Sequence, residues 1–438
     1  MTDTIYALAT APGRAGIAVI RVSGPCAVDA VRTLASYVPL IPYQASLHTF
    51  HDFEGETIDR GLLLWFAGPA SFTGEDVAEF HVHGGRAIAS AMLGTLSKVK
   101  GLRMAERGEF TRRAVENGKL DLTRAEAIAD LVEAETEAQR KQAAAQYEGS
   151  LYQLAEGWRA RLIKALAWAE AAIDFAEDEV PETAALEVEA AIKDILAEMQ
   201  ALLRDGRRGE ILREGLHLTV IGPPNAGKSS LLNALARRDV AIVSEIPGTT
   251  RDVIEARLDL HGYPVIVADT AGLRETGETI EAEGVRRARA RADSGDLVLL
   301  LVDGSVAEPF AGVDADLQER ADLTVWNKAD LPWPEERADA LHLSLKTGEG
   351  LNAVVGTLGE LAEERLFQRQ GEPALTRERH REAVATASEA LERALAGNSA
   401  ELLAEDLRLA LRGIGRLTGQ VDVEELLDVI FRDFCIGK

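Results

Sequence analysis

The stretch G-P-P-N-A-G-K-S, Gly222 to Ser229, decides how this chain is read. A short apolar run (Leu216, Leu218, Val220, Ile221) precedes it, and a helical pattern (Leu231, Leu232, Ala234, Leu235) follows. A strand, a Gly-rich loop and a helix N-terminus in that order make a phosphate cradle. The glycines let backbone N–H groups turn inward, and the helix dipole favours an anion. Asn225, Ala226, Gly227, Lys228, Ser229 and Ser230 are the expected contacts. Lys228 reaches the outer phosphates, where it acts in catalysis, and Ser229 can hold Mg²⁺.

Three further segments, in the right order, choose the nucleotide. Asp269-Thr270-Ala271-Gly272 follows the strand Val265–Ala268 and places a carboxylate and a flexible Gly beside the γ-phosphate. Asn327-Lys328-Ala329-Asp330 follows the strand Leu323–Trp326. The Asp330 carboxylate can accept two hydrogen bonds from the N1–H and exocyclic amine of guanine. Adenine lacks that donor pair and would leave the carboxylate unpaired. Ser344-Leu345-Lys346 follows another short strand and would close over the base. The four segments together predict a GTP-binding domain.

At 438 residues the chain should hold two to four domains and bury a large core. No apolar run approaches the ~18 residues of a membrane span. The N-terminus lacks the charged and apolar regions of an export signal. Cys26 and Cys435 are the chain's two cysteines, too few for a disulfide framework, which fits a reducing cytoplasm. The net charge of −24 argues against nucleic-acid binding through the overall field. A polynucleotide would need a local patch such as Arg204, Arg207 and Arg208, or Arg286, Arg287, Arg289 and Arg291, or a second protein. Each cluster reads first as a solvated helix face.

Residues 1–118 read as a mixed α/β unit, with strands at Ile17–Val22, Leu62–Phe66 and Asp76–Val82 and a helix at Ala87–Val99. From Leu120 the character changes. Thr123 with Glu126 makes a capping box, and helical pattern runs to about Arg208, broken near Val180-Pro181. The stretch 372–438 is similar. Asp422 with Glu425 caps a last helix with the apolar face Leu426, Leu427, Ile430, Phe431 and Phe434. The expected architecture is multidomain α/β plus all-α. An N-terminal α/β domain spans 1–118, and a discontinuous helical domain is built from 119–209 and 372–438. A P-loop, doubly wound G domain at 210–371 is inserted in it.

Many small GTPases place a Gln directly after the D-x-x-G segment to orient the attacking water. Here that residue is Leu273, which cannot orient water. A cation can serve in place of an arginine finger, because phosphoryl transfer needs chiefly charge stabilisation and positioning. Asn225 is one candidate ligand. Ser244-Glu245-Ile246-Pro247-Gly248-Thr249-Thr250-Arg251-Asp252 could add backbone carbonyls and the Thr249 hydroxyl, an oxygen set suited to a large monovalent ion. Equally, Asn225 could steady the loop and Thr249 cap a turn. The pair His81 and His83 lacks a third ligand at suitable spacing. The terminal Cys-Ile-Gly-Lys is not a prenylation box, since Gly437 is not aliphatic and Lys is an unusual last residue.

The chain closely resembles the tRNA-modification GTPases of the MnmE or TrmE family, along essentially its whole length. The resemblance is carried by A-T-A-P-G-R-A-G-I (Ala9–Ile17), T-G-E-D-V (Thr73–Val77) and H-G-G (His83–Gly85). R-G-E-F-T-R-R-A (Arg107–Ala114), N-G-K-L-D (Asn117–Asp121) and A-E-A-I-A-D (Ala125–Asp130) continue it, with the G motifs and the ending C-I-G-K (Cys435–Lys438). It implies an N-terminal domain that binds folate and dimerises, a helical domain, and an inserted G domain activated by K⁺. The K⁺ ligands would be Asn225, Ser244, Ile246 and Thr249, with Mg²⁺ on Ser229 and Thr250. The GTP contacts would include Ser244, Glu245, Ile246, Pro247, Gly248, Thr249 and Thr250.

By the same resemblance, Glu281 orients the attacking water; alone it reads as a solvated carboxylate among Glu278 and Glu283. Arg21, Glu79, Lys119 and Lys438 would bind 5,10-methylene- or 5-formyl-tetrahydrofolate. Glu79 could pair with the amino-pyrimidine edge of a pterin, while the cations meet its glutamate tail or the protein's carboxylates. Cys435 would take part in the tRNA chemistry, or is a free thiol ending a buried helix face. Departures are few: Ser244 stands where Thr is expected, Pro247 and Leu345 where small residues are usual. The implied function is GTP hydrolysis coupled to aminomethyl-type modification at C5 of the tRNA wobble uridine. The implied partners are a second copy and the flavoprotein MnmG (GidA), in a heterotetramer or larger complex in the cytoplasm, away from membranes. The rival is a non-catalytic GTP switch scaffolding ribosome or membrane assembly.

Overall fold

A computed structural model of the chain describes residues 3–35, 39–174, 182–238, 240–242, 255–268, 295–334, 340–367, 369, 371–397, 399–421, 427–428, 430–431 and 434–437. They form two compact units. One comprises Met1–Ala129, Tyr152–Ala191 and Glu389–Lys438, the other Asp130–Leu151 and Ile192–Ser388.

In chain order the first unit opens with β1 (Thr4–Leu8), β2 (Ala15–Ser23), α1 (Ala27–Ala35), β3 (Ser46–His51), β4 (Thr57–Phe66) and β5 (Val77–Gly84). Then come α2 (Arg86–Leu96), β6 (Leu102–Met104), α3 (Glu109–Glu116) and α4 (Leu122–Glu133). The strands make one sheet in the order β3-β4-β5-β2-β1-β6, antiparallel except for the β1–β6 pair. Side chains alternate across a strand. Tyr6, Ile20, Val22 and Phe80 therefore enter one core with Leu34 of α1 and Met92 of α2. Val19, Arg21, Glu79 and His81 take the opposite face. On that face Ile17, Leu47 and Leu62 are 60%, 55% and 40% exposed.

The start of α4 corrects the capping box expected at Thr123 and Glu126. Asp121 caps the helix: its Oδ1 accepts the backbone N–H groups of Thr123 and Arg124 at 2.9 and 3.1 Å, and the Thr123 hydroxyl at 2.5 Å. An aspartate is as good an N-cap as threonine and lies two residues earlier. Thr123 and Glu126 are both fully buried inside the helix instead. Near the C-terminus Leu427, Phe431 and Phe434 pack on Leu122 and Ala125, as the apolar face predicts. Asp422, Glu425 and Leu426 lie outside the described residues.

Long helices follow: α5 (Glu137–Tyr147), α6 (Ser150–Asp174), α7 (Glu182–Leu203) and the short α8 (Arg208–Glu214). A second strand set comes next, β7 (Leu216–Ile221), α9 (Lys228–Ala236), β8 (Ala241–Ile242), β9 (Glu255–Leu260) and β10 (Tyr263–Ala268). After these come β11 (Leu297–Asp303), α10 (Ala315–Glu319), β12 (Leu323–Asn327), β13 (Leu341–His342) and α11 (Leu351–Leu366). The chain then returns to helix in α12 (Glu378–Ala396) and α13 (Ala400–Thr418).

The second sheet has the order β13-β12-β11-β7-β10-β9-β8. Its first five strands are parallel, and β9 and β8 are antiparallel additions. β11, Leu-Val-Leu-Leu-Leu-Val-Asp, is buried from Leu297 to Val302, as a strand covered on both faces must be. Leu231 and Leu235 of α9 and Val354 and Leu358 of α11 pack on one face; Phe310, Leu317 and Trp333 pack on the other. No described helix is long and apolar enough to cross a membrane.

Candidate functional site

β7 occupies the middle of the seven-stranded sheet, and β10, β11 and β12 run in the same direction. Their C-terminal ends share one edge, where open α/β sheets bind ligands. The phosphate loop leaves β7 there. Gly222 has φ 147°, and a Cβ on it would collide with the Leu301 carbonyl oxygen of β11. Gly227 has φ 106°, and a Cβ there would come 2.5 Å from Asn327 Nδ2. Both positions require glycine, for conformation and for room. Asn225 holds φ 62°, a left-handed conformation that Asn tolerates better than most residues, and is exposed.

Lys228 donates from Nζ to the carbonyls of Gly222 and Pro223 at 2.8 and 2.7 Å. Its ammonium is thus folded into its own loop, at the place where an anion would sit. Burial lowers its pKa, because desolvation penalises the charged form. Ser229 and Ser230 follow in the first turn of α9, exposed at the helix N-terminus.

Asn327, at the end of β12 and 4% exposed, ties this loop to the segment that would read the base. Its Nδ2 donates to the Ala226 carbonyl at 2.7 Å, and its Oδ1 accepts from Leu345 N at 3.2 Å. Lys328 sits at φ 66° and pairs with Asp303 Oδ2 at 2.5 Å. Asp330 accepts the hydroxyl of fully buried Ser344 at 2.8 Å through Oδ1, and Lys346 Nζ lies 3.7 Å from Oδ2. The Ser344 hydrogen bond and then the Lys346 charge lower the Asp330 pKa, so the carboxylate is ionised and fixed in direction. Asn327→Ala leaves the Ala226 carbonyl and Leu345 N–H without their partner. The expected result is about 10- to 100-fold weaker binding of both GTP and GDP, checked by fluorescent-nucleotide titration.

The structure thus brings together Asn225, Ala226, Gly227, Lys228, Ser229 and Ser230 with Asn327, Lys328, Asp330, Ser344, Leu345 and Lys346. Ser244, Glu245, Ile246, Pro247, Gly248, Thr249, Thr250, Asp269, Thr270, Ala271, Gly272 and Glu281 lie outside the described residues, as does Lys438. β10, paired with β7, ends at Ala268 directly before Asp269. Asp303 was not anticipated. Its signal is an acid closing the apolar run of β11, and its carboxyl is lowered by Lys328 and Ser305 against the opposing effect of burial.

A second cluster lies on the open face of the N-terminal sheet. Arg21 and Glu79 are direct cross-strand partners on β2 and β5, and Arg21 Nε donates to Glu79 Oε1 at 2.8 Å. His81 Nε2 lies 3.3 Å from Glu79 Oε2. The Arg21 guanidinium stands 5.8 and 5.6 Å from the ring centres of Phe72 and Phe110, two aromatics that the sequence did not single out although they lie beside or inside its motifs. Lys119 donates to the Pro69 carbonyl at 2.8 Å, in the same loop as Phe72. Cys435 is exposed, and its carbonyl accepts Gly108 N at 3.3 Å. Gly437, at φ 97°, packs so closely that a Cβ would strike the Leu8 carbonyl, at the end of β1 and across from Ile20 beside Arg21.

The Arg204–Arg208 cluster does not form a free basic patch. Arg207 is paired with Glu210 at 2.5 Å and Glu378 at 2.9 Å, and Arg204 donates to the Gln200 carbonyl at 3.1 Å. Glu210, three residues on, and the distant Glu378 satisfy its central charge. Arg286, Arg287, Arg289 and Arg291 lie outside the described residues.

Comparison with known proteins places these features in context. A family model described as the GTP-binding protein TrmE N-terminus matches residues 4–119, and one for the MnmE helical domain matches residues 122–435. The chain is 54% identical to the tRNA modification GTPase MnmE of Parvibaculum lavamentivorans, over 100% of both chains. It is 53% identical to that of Paramagnetospirillum magneticum, again over 100% of both. The solved G domain of the T. maritima FeoB iron transporter aligns with 35% of this chain and 99% of its own, at 25% identity and a TM-score of 0.26.

Proposed function

The chain belongs to the MnmE family of tRNA modification GTPases, and from that premise we propose that it couples K⁺-activated GTP hydrolysis to aminomethylation of the tRNA wobble uridine. GTP hydrolysis in tRNA modification is the activity its relatives carry by name. The single observation that supports it best is Asn327, which joins the phosphate loop to the base loop at 2.7 and 3.2 Å. One side chain there links the triphosphate grip to the guanine reader.

Each residue of the GTPase site has a physical task. Lys228 turns its donors from the loop carbonyls to the β- and γ-phosphate oxygens, and burial strengthens that attraction. Ser229 and Thr250 would hold Mg²⁺, whose charge would neutralise the outer phosphates. Asn225, exposed on a left-handed turn, suits a cation at the loop's rim, to which carbonyls of Ser244 and Ile246 and the hydroxyl of Thr249 would add. A bound K⁺ would supply the positive charge that an arginine finger supplies elsewhere. Glu281 orients the attacking water, and Asp269 to Gly272 face the γ-phosphate. Residues 210–371 act as the GTPase module, inserted between 119–209 and 372–438 and preceded by a folate-binding and dimerisation domain at 1–118.

The one-carbon site centres on Arg21, Glu79 and Lys119, joined by Lys438. The residues present fit a reduced pterin: a carboxylate for its amino-pyrimidine edge, cations for its glutamate tail, and partly exposed Phe72 for its ring. A tetrahydrofolate bound there would supply the one-carbon unit. Close packing of Gly437 on Leu8 supports delivery of the chain end toward this site. Cys435, exposed three residues earlier, joins the uridine chemistry. Exposed Ile17, Leu47 and Leu62 share the face of Arg21 and Glu79, which supports a homodimer that covers them. The flavoprotein MnmG completes the complex.

Mass spectrometry of tRNA nucleosides from cells with and without the gene tests this reading. The expected result is loss of the C5-aminomethyl-type wobble uridine on deletion, restored by the wild-type gene and not by a Lys228→Ala copy. An unchanged nucleoside profile would show the chain to be a switch without a tRNA reaction.

A further inference from the structure

Arg113 of α3 is fully buried, yet the function just described gives it no task. Its Nη1 donates to both Glu75 oxygens at 3.2 Å and to the Asp3 carbonyl at 3.0 Å. Nη2 donates to Asp3 Oδ1 and Glu109 Oε1, each at 3.0 Å. Arg103 holds Glu109 from the other side, at 2.8 and 2.5 Å. The Arg113 Nε is buried without a hydrogen-bond partner, so the guanidinium is placed for what its two terminal nitrogens hold. Such a network is weak evidence for stability, because apolar replacements of buried ion clusters are often as stable. Its use is then geometric.

Glu75 belongs to the loop between β4 and β5. Besides Arg113, it accepts the Ser23 hydroxyl at 2.7 Å, and Ser23 also meets Thr73 Oγ1 at 2.7 Å, which fastens the loop to the end of β2. The same loop carries Phe72, whose ring faces Arg21, and Pro69, whose carbonyl receives Lys119. Asn117 reaches it too, donating to the Thr73 carbonyl at 2.7 Å. Arg21 and Glu79 are set by the sheet itself, whereas Phe72 and Lys119 are set through this loop.

We propose that Arg113, acting through Glu75, is a positioning residue for the one-carbon pocket: it fixes the 68–76 loop against β2 and so sets Phe72 and Lys119 relative to the Arg21–Glu79 pair. The inference rests on the reading of that pocket as a reduced-folate site. Lysine cannot replace Arg113, because a point charge lacks the planar fork that holds Glu75 on one nitrogen and Glu109 on the other.

The test compares full-length wild type, Arg113→Lys and Glu75→Gln by calorimetric titration with 5-formyl-tetrahydrofolate, with thermal unfolding and GTP turnover measured alongside. Arg113→Lys is expected to weaken folate binding about tenfold or more, with GTP turnover unchanged. Glu75→Gln, whose amide oxygen still accepts one hydrogen bond, should weaken it less. Below its unfolding temperature, a protein that is merely less stable binds with native affinity, so affinity separates positioning from stability. Wild-type affinity in folded Arg113→Lys would overturn the inference. If that variant does not fold, Glu75→Gln decides: native affinity overturns it, and weakened affinity in a folded protein supports it. A wild type that ignores folate would remove the pocket reading, and the inference with it; equal binding by wild type and variants removes the inference alone.

Discussion

Asp330→Asn is expected to weaken GTP binding by about 10³-fold or more and to favour xanthosine triphosphate, because a site built to pair a donor edge rejects the mismatched base strongly. The variant amide turns N–H donors toward guanine's own N1–H and amine, while the C2 oxygen of xanthine accepts from them. The effect should be large because Asp330 has little freedom to turn away: Ser344 holds Oδ1 at 2.8 Å and Lys346 lies 3.7 Å from Oδ2. Competition titrations with GTP and xanthosine triphosphate check this, and unchanged GTP affinity would remove Asp330 from the base pocket. The pH dependence has a definite sign. Asp330 is lowered in the folded protein, so its carboxylate persists through the neutral range. The Asp330 contribution to guanine binding should be constant through the neutral range and be lost only on acidification past the ordinary carboxylate range near 4.

Replacing Na⁺ by K⁺ at constant ionic strength should raise GTP turnover on the order of 10³-fold, the scale on which an arginine finger acts. Leu273 stands where many small GTPases place a water-orienting Gln, so the catalytic group has to come from elsewhere, and a cation can add charge stabilisation. A ring of carbonyl, amide and phosphate oxygens replaces the hydration shell of the larger ion better than that of the smaller one. Asn225, exposed at φ 62° on the phosphate loop, is the residue among the described ones proposed to join that ring. Asn225→Ala should therefore abolish most of the difference between the two salts while GTP still binds. Steady-state phosphate release in KCl and NaCl measures both quantities. Equal wild-type rates would overturn the ion assignment.

The two predictions differ in how far the sequence alone carries them. Gly222, Gly227, Lys228 and Asp330 were legible because their chemistry is set by turns of a few residues at strand ends, where both glycines hold a positive φ and Lys228 and Asp330 bond within their own loops or the next one. The helix start at Asp121 was misread as Thr123 because both residue types cap helices and the spacing to Glu126 fits a capping box. The arginines at 204–208 read first as a solvated helix face, and Arg207 is paired both locally, with Glu210, and with Glu378, 171 residues away.

What the sequence by itself determined is the nucleotide reader and the class of both sheets, since alternation, loop glycines and side-chain donors act over a few neighbouring residues. Tertiary structure decided which distant charges meet. Arg21 and Glu79 lie 58 positions apart and touch because β5 is laid beside β2. Asp303 reaches Lys328, and Arg113 reaches Asp3 and Glu75, across 25, 110 and 38 positions. Strand order and helix packing bring such pairs together to bury apolar area shared by the whole unit, and no local spacing records that sum.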